Sequence, residues 1–241
     1  MRNIGEELEM ATRVVMITGA AGNLGQAVAQ AFAQAGDTLV LAGRTRESLV
    51  RAYGEETPQR LFAVADLLDP AQLDAAVRLA VQRLGGIDVL CNIAGGFQMG
   101  PAVHETTDES WDLMMDLNAR TVMHTARAVV PNMLSRGGGK IVNVGANAAM
   151  KGAAHMGAYV ASKSSVLRLT ETMAAELREG GINVNCVMPS IIDTPENRAA
   201  MPGADPARWV KPQQLAQVIA FLASDAASAL HGACIPVVGL A

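Results

Sequence analysis

Short, unbroken apolar runs alternate with longer stretches of mixed polarity from Val14 to Val238. Val14-Val15-Met16-Ile17 predicts a buried strand, followed by a helix from Leu24 to Ala35 that Gly36 stops. A strand at Thr38 to Ala42, a helix near Arg46 to Tyr53 and a strand at Leu61 to Ala65 come next. Pro70 opens a helix reaching Leu84 and Gly85-Gly86 ends it, because proline suits a first helical turn and glycine the exit. Ile87 to Cys91 reads as a fourth strand, Thr107 to Ser135 as one long helix, and Lys140 to Val144 as a fifth strand. Gly157 to Glu179 is helical, Ile182 to Met188 the sixth strand, Gln213 to Ala223 a last helix and Ile235 to Val238 a last strand. Strands that are apolar throughout, rather than on every second residue, belong to a parallel sheet covered on both sides. The β-α-β rhythm therefore predicts an α/β fold: a doubly wound Rossmann-type parallel sheet of about seven strands with helices on both faces. No repeat or linker divides the chain, so residues 13–241 read as one domain.

Composition narrows the function classes. The chain of 241 residues is 50% hydrophobic, enough for one full core. Met1 to Thr12 is polar and acidic without the apolar stretch of a secretory signal, and reads as a short N-terminal extension. Net charge is −4, charged residues make up 17%, and no Lys/Arg cluster stands out, which leaves no electrostatic case for nucleic acid. No apolar run approaches the ~18–20 residues of a membrane span, so no membrane partner is expected. Cys91, Cys186 and Cys234 lie far apart, each within an apolar run. The odd count and the lack of ligand spacing point to buried small hydrophobes in a reducing cytosol, with no metal site. Met114-Met115 read as core fillers. The least regular stretch is Pro189 to Lys211, in the region where such sheets bind ligands.

The first strand runs into Thr18-Gly19-Ala20-Ala21-Gly22-Asn23-Leu24-Gly25. A strand, a glycine-rich turn and a helix N-terminus present free N–H groups and a positive dipole end to a dinucleotide pyrophosphate. The second strand ends at Leu41-Ala42-Gly43-Arg44, with Arg46 close by. An acidic residue there binds the ribose 2′-hydroxyl of NAD, whereas arginine matches the 2′-phosphate of NADP. NADP(H) is therefore the preferred cofactor, with NAD(H) possible. Tyr159-Val160-Ala161-Ser162-Lys163 places a phenol and an ammonium four residues apart on one helix face. A cation beside a phenol favours phenolate and lowers its pKa toward working pH, which makes Tyr159 a general acid/base.

With the glycine turn, this pair resembles the short-chain dehydrogenase/reductase family, and the likeness runs from Arg13 to the C-terminus. The turn is similar to the family's TGxxxGxG, with Asn23 in place of the middle glycine and Gly22 one place earlier. Asp66-Leu67 match the pair beside the adenine. Asn92-Ile93-Ala94-Gly95 resembles NNAG, and Asn118 matches the asparagine that anchors a proton-relay water. Pro189 to Thr194, including Ile192, resembles the PGxxxT segment over the nicotinamide, where Thr194 would hold the carboxamide. The resemblance thus implies an enzyme with Tyr159, Lys163 and Asn118 at the catalytic centre, and a homodimer or homotetramer built on the two long helices flanking the fifth strand.

One departure bears on the chemistry. The family's serine lies thirteen residues before the tyrosine, and here that position is Ala146. The serine donates to a substrate carbonyl, and losing one such donor costs on the order of 10²–10³ in rate. Asn147 is the nearest polar residue, either a substitute donor or a loop residue capping backbone groups. His155 either lines the mouth of the site or is an exposed helix-start residue. Trp209 either packs over a substrate or anchors its loop to the sheet. A narrower likeness joins Gly145 to Ala149, Asp193 to Asp205 and Ala94-Gly95-Gly96-Phe97 to the dihydropteridine reductase branch, which also has alanine at the serine position. The leading expectation is therefore a cytoplasmic reductase of a small quinonoid or pterin-like heterocycle. A general carbonyl reductase, for ketones, aldehydes or oxoacyl groups, and a non-catalytic NADP-binding module are the alternatives.

Overall fold

The computed structural model describes residues 12–240; the expected extension lies almost wholly outside them. The apolar runs become strands β1 (Val14–Ile17), β2 (Thr38–Gly43), β3 (Arg60–Val64), β4 (Val89–Asn92), β5 (Gly139–Val144), β6 (Ile182–Pro189) and β7 (Cys234–Val237). All pair in parallel, in the order β3-β2-β1-β4-β5-β6-β7. Between them lie α1 (Asn23–Gln34), α2 (Arg46–Tyr53), α3 (Pro70–Leu84), α4 (Asp108–Met115), α5 (Thr121–Ser135), α6 (Gly157–Leu177), α7 (Pro195–Ala200) and α8 (Pro212–Leu222). This is the doubly wound α/β domain that the hydrophobic pattern predicts. No helix among the described residues is long and apolar enough to cross a membrane.

The strands are apolar at every position because alternate residues enter two different cores. Met16, Val40, Leu90, Ile141 and Val184 face Leu73 and Val77 of α3, Val129 and Met133 of α5, and Val166 of α6. Val15, Ile17, Leu41, Val142 and Val187 face Val28 and Phe32 of α1, Leu49 of α2, and Leu215 and Ile219 of α8. Burial of each such side chain contributes about 1.5–3 kcal/mol, so a one-residue register slip finds no polar face to penalise it. Turn chemistry sets the element ends instead. Asp69 caps α3 by accepting from the amides of Ala71 and Gln72, and Gly85 leaves the helix at φ 83°.

The expected boundaries differ by one or two residues, and two elements differ in kind. The long helix at Thr107 to Ser135 is interrupted by a π turn at Asp116–Arg120 that separates α4 from α5. Such turns widen the helix locally and often mark functional positions; this one carries Asn118. The irregular stretch after β6 contains α7, and Ile192 bridges to Val210 where the loop returns. The sheet order reverses between β1 and β4, which opens a crevice at their carboxyl ends.

Candidate active site

The crevice is shaped first by the turn after β1. Gly19 sits at φ 61°, and a Cβ there would lie 2.9 Å from the Cα of Ala94. A Cβ on Gly25 would be 2.7 Å from the carbonyl oxygen of Ala20 and in contact with that of Gly19. Glycine is therefore required at both places, for close approach of turn to β4 and of helix to turn. Thr18 Oγ1 accepts from the amides of Ile93 (3.0 Å) and Ala94 (3.1 Å), locking the ends of β1 and β4 together. The amides of Asn23, Leu24 and Gly25 have no backbone partner among the described residues, the arrangement that receives an anion at a helix N-terminus. Asn23 Nδ2 donates to Glu196 Oε2 at 2.8 Å, so the segment after β6 folds against the same turn.

A cavity of about 850 Å³ opens from this turn. Gly19, Gly22, Asn23, Leu24 and Gly25 line one wall. Gly43 and Arg44 lie at one end, Asp66 and Leu67 beside them, and Ala94 and Gly95 at the other. These are the residues that the sequence assigns to pyrophosphate, ribose, adenine and the β4 turn. Arg44 is exposed and makes no ion pair among the described residues. Arg46 points elsewhere: its guanidinium meets Glu55 (3.1 Å) and Glu56 (3.0 Å) and covers the Phe62 ring. The cavity suits a dinucleotide with its pyrophosphate on α1. Leu113, Asp116, Leu117 and Thr121 also line it, from α4, the π turn and the start of α5, which no local sequence pattern brings together.

Asn92 does not reach the cavity: Nδ2 donates to Asn143 Oδ1 (2.9 Å) and Oδ1 accepts from Thr125 (2.8 Å), in a buried network that Asn143 continues to Thr170 (2.9 Å). A polar side chain inside a sheet must find partners, and the β4–β5 register supplies them. Pro189, Ile192 and Thr194 are not in the cavity lining, and neither are Asn118, Tyr159 and Lys163. Thr194 Oγ1 caps α7 by accepting from Asn197 N. Trp209 is buried and does not line the cavity.

At the far end, α6 carries Tyr159 and Lys163 on one face. The Phe97 ring meets that of Tyr159 edge to face, with centroids 4.9 Å apart and planes at 88°. Lys163 is buried, and its Nζ donates to the Val144 carbonyl at 2.8 Å. A Cβ on Gly95 would fall 2.8 Å from Asn118 Oδ1 and 3.1 Å from Lys163 Nζ, so both groups border the β4 turn. Asn118 Oδ1 accepts from Gly96 N (2.9 Å), while Nδ2 donates to Gly96 O (3.0 Å) and Ser162 Oγ (3.0 Å). Both amide hydrogens are thereby used, so the side chain clamps the turn to α6.

Burial, not the neighbouring cation, governs the two titrating groups. It pushes the Tyr159 phenol up to about 12 and the Lys163 ammonium down to about 8. The expected lowering of the phenol does not occur, because Lys163 is turned to the Val144 carbonyl and desolvation opposes phenolate. Ala146 is buried beside a 3-10 turn at Asn147–Met150. Asn147 is half-buried, with no hydrogen bond to its amide among the described residues, so the capping role is not the one it plays. His155 is exposed, as a helix-start residue is expected to be, and is the only non-glycine at positive φ (62°) among the described residues. Its carbonyl accepts from Gly100 N at 2.8 Å, so its backbone joins the loop before α6 to the loop after β4.

Residues 13–204 match the family model described as short chain dehydrogenase. The chain is 34% identical over 238 residues to the 3-oxoacyl-(acyl-carrier-protein) reductase of Thermotoga maritima, covering 94% of this chain and 96% of that one. Among solved structures it resembles carveol dehydrogenase from Mycobacterium avium in complex with NAD, with TM-score 0.87, 28% identity, and 95% and 97% of the two chains covered. It also resembles a gluconate 5-dehydrogenase from Burkholderia cenocepacia in complex with NADP and tartrate, with TM-score 0.86, 30% identity and 94% of each chain covered. None of these three is a dihydropteridine reductase, so the narrower likeness to that branch is not supported.

Proposed function

The chain belongs to the short-chain dehydrogenase family, and from that premise we propose that it interconverts a carbonyl compound and its alcohol, with Tyr159 exchanging the proton. It is an NAD(P)-dependent oxidoreductase of that family. The observation that carries the reading is the phenol of Tyr159, held edge to face against Phe97 just past the Gly95-Gly96 turn that borders the crevice, with Lys163 one turn behind it. A nicotinamide bound in the crevice supplies or accepts the hydride. In reduction, Tyr159 Oη donates its proton to the carbonyl oxygen as that oxygen gains charge; in oxidation it takes the proton back through the same bond. Lys163 supplies a buried positive charge near Gly95, and Asn118 holds the Gly96 peptide in place. The test is oxidation of NADPH and NADH with oxoacyl thioesters, cyclic ketones, aldehydes and a quinonoid dihydropterin. Turnover of carbonyl compounds supports the reading; turnover confined to the dihydropterin overturns it.

The dihydropterin remains as the second reading for one reason: Ala146 presents no hydroxyl at the position where a carbonyl oxygen needs a donor.

The preferred cofactor is proposed to be NADPH, on the strength of Gly43-Arg44 at the end of β2. Arg44→Ala is expected to raise KM for NADPH about tenfold or more, the loss of one charge-assisted contact to phosphate, and to leave NADH nearly unchanged. Equal use of both cofactors by the parent, or a parallel loss in the variant, removes the basis for this preference.

Self-association is proposed through the long helices before and after β5, α4–α5 and α6, where Trp111 and Met123 are exposed. Sedimentation at micromolar concentration is expected to give a dimer or tetramer; a monomer throughout would refute it.

A further inference from the structure

Cys186 and Cys234 stand directly opposite each other as register partners on the neighbouring strands β6 and β7. Register partners in a parallel pair point to the same face, and both side chains enter the core that lies under α6. Cys186 Sγ donates to the Val187 carbonyl at 3.4 Å. Adjacent strands lie about 4.8 Å apart, inside the roughly 4.4–6.8 Å between Cα atoms that a disulfide spans. β7 is the sheet's edge, four residues long and paired only with β6, so it can shift as an S–S bond closes. The two residues differ in access: Cys186 is fully buried and Cys234 half-buried. They also differ in charge. The neighbouring Cys186 thiol and Arg168 favour the thiolate at Cys234 and Glu171 opposes it, while the contact with Cys234 and burial hold Cys186 protonated. Cys91 lies in the core on the other face, away from both.

We propose that Cys234 and Cys186 form a peroxide-responsive disulfide, with Cys234 attacking the oxidant and Cys186 resolving the product. The Cys234 thiolate attacks one oxygen of hydrogen peroxide; the O–O bond breaks, hydroxide leaves and takes up a proton, and Cys234 becomes a sulfenic acid. Cys186 sulfur then attacks the Cys234 sulfur, the S–O bond breaks, and a second water leaves with the Cys186 proton. Two thiols lose two electrons and one peroxide gains them. The bond would form behind the catalytic wall, because Cys186 Sγ lies 3.0 Å from where a side chain on Gly145 would begin.

The test exposes the full chain to dilute hydrogen peroxide, alkylates it under denaturing conditions, and reads intact mass and peptide maps. Alkylatable thiols are expected to fall from three to one, with the Cys186 and Cys234 peptides linked and released again by dithiothreitol. Dimedone added during oxidation of the parent protein is expected to mark Cys234, and to mark it more fully in Cys186→Ser, which cannot resolve the sulfenic acid. Because trapping in the parent needs no substitution, a poorly folded variant leaves the test intact. Three free thiols after peroxide, a bridge between two copies, first oxidation at Cys91 or Cys186, or a singly oxidised Cys234 that never links would each overturn the proposal.

Discussion

Replacing Tyr159 with phenylalanine is expected to lower turnover by about 10²–10⁴, the range for loss of a general acid/base, while cofactor affinity changes little. The phenol is the group placed to donate to a substrate oxygen, and burial keeps its proton on until about pH 12. The ring itself is held by Phe97, edge to face at 4.9 Å, and that contact survives in phenylalanine. Asn118, Gly96 and Ser162 are bound to one another and to the Tyr159 carbonyl, not to its hydroxyl. The site should therefore keep its shape and lose only the proton. The same separation predicts the pH profile of the parent enzyme. Tyr159 stays loaded through neutrality, whereas burial lowers Lys163 to about 8. Its positive charge is present below that pH and lost as pH rises through it, so reduction should weaken on the alkaline side near pH 8. Single-turnover rates of NADPH oxidation and separate cofactor-binding titrations check both statements. Full activity in the variant would mean that the proton comes directly from water.

Ala146→Ser is expected to raise kcat/KM on ketones by about 10–10³, because a hydroxyl there restores a donor of the kind whose removal costs on the order of 10²–10³. The substitution adds one oxygen to a buried residue at the end of β5, close enough in the chain to Val144, whose carbonyl holds Lys163, to act within the same site. A donor at this point matters only where charge develops on a single oxygen. A quinonoid ring that accepts hydride spreads that charge over its nitrogens, so activity on a dihydropterin should stay the same or fall. Steady-state assays of parent and variant on both substrate classes read the difference directly. A gain on ketones alone identifies a carbonyl site working without its second donor. If ketones gain nothing, the oxygen is already served, and Asn147→Leu should then remove activity on them. Equal gains on both classes would make the alanine a general defect and remove the basis for treating the dihydropterin as a second reading.

Local pattern was enough for the strands, the glycine turn and the Tyr159–Lys163 face. Each depends on residues within one turn or one strand: apolar positions on both faces, glycines where a Cβ would strike backbone, a spacing of four along a helix. The cavity wall at Arg44 followed from its place at the end of β2, and those at Asp66, Leu67 and Gly95 from the family resemblance. What the sequence alone left undecided, or placed wrongly, depends on partners far along the chain. Asn92 looks like a cofactor ligand until the β4–β5 register puts Asn143 beside it and α5 brings Thr125 to its oxygen. Arg46 and Arg44 differ by two positions, and only the return of Glu55 and Glu56 removes the first from the cofactor. Trp209 could face ligand or core, and it is buried although Arg208 beside it is exposed. The pairing of Cys186 with Cys234 follows from β7 adding to the sheet's edge. The phenol's proton affinity was misjudged for the same reason. Spacing along α6 brings a cation near, but the depth of the site and the Val144 carbonyl decide which charge survives there, and desolvation in a packed interior outweighs a neighbour turned away.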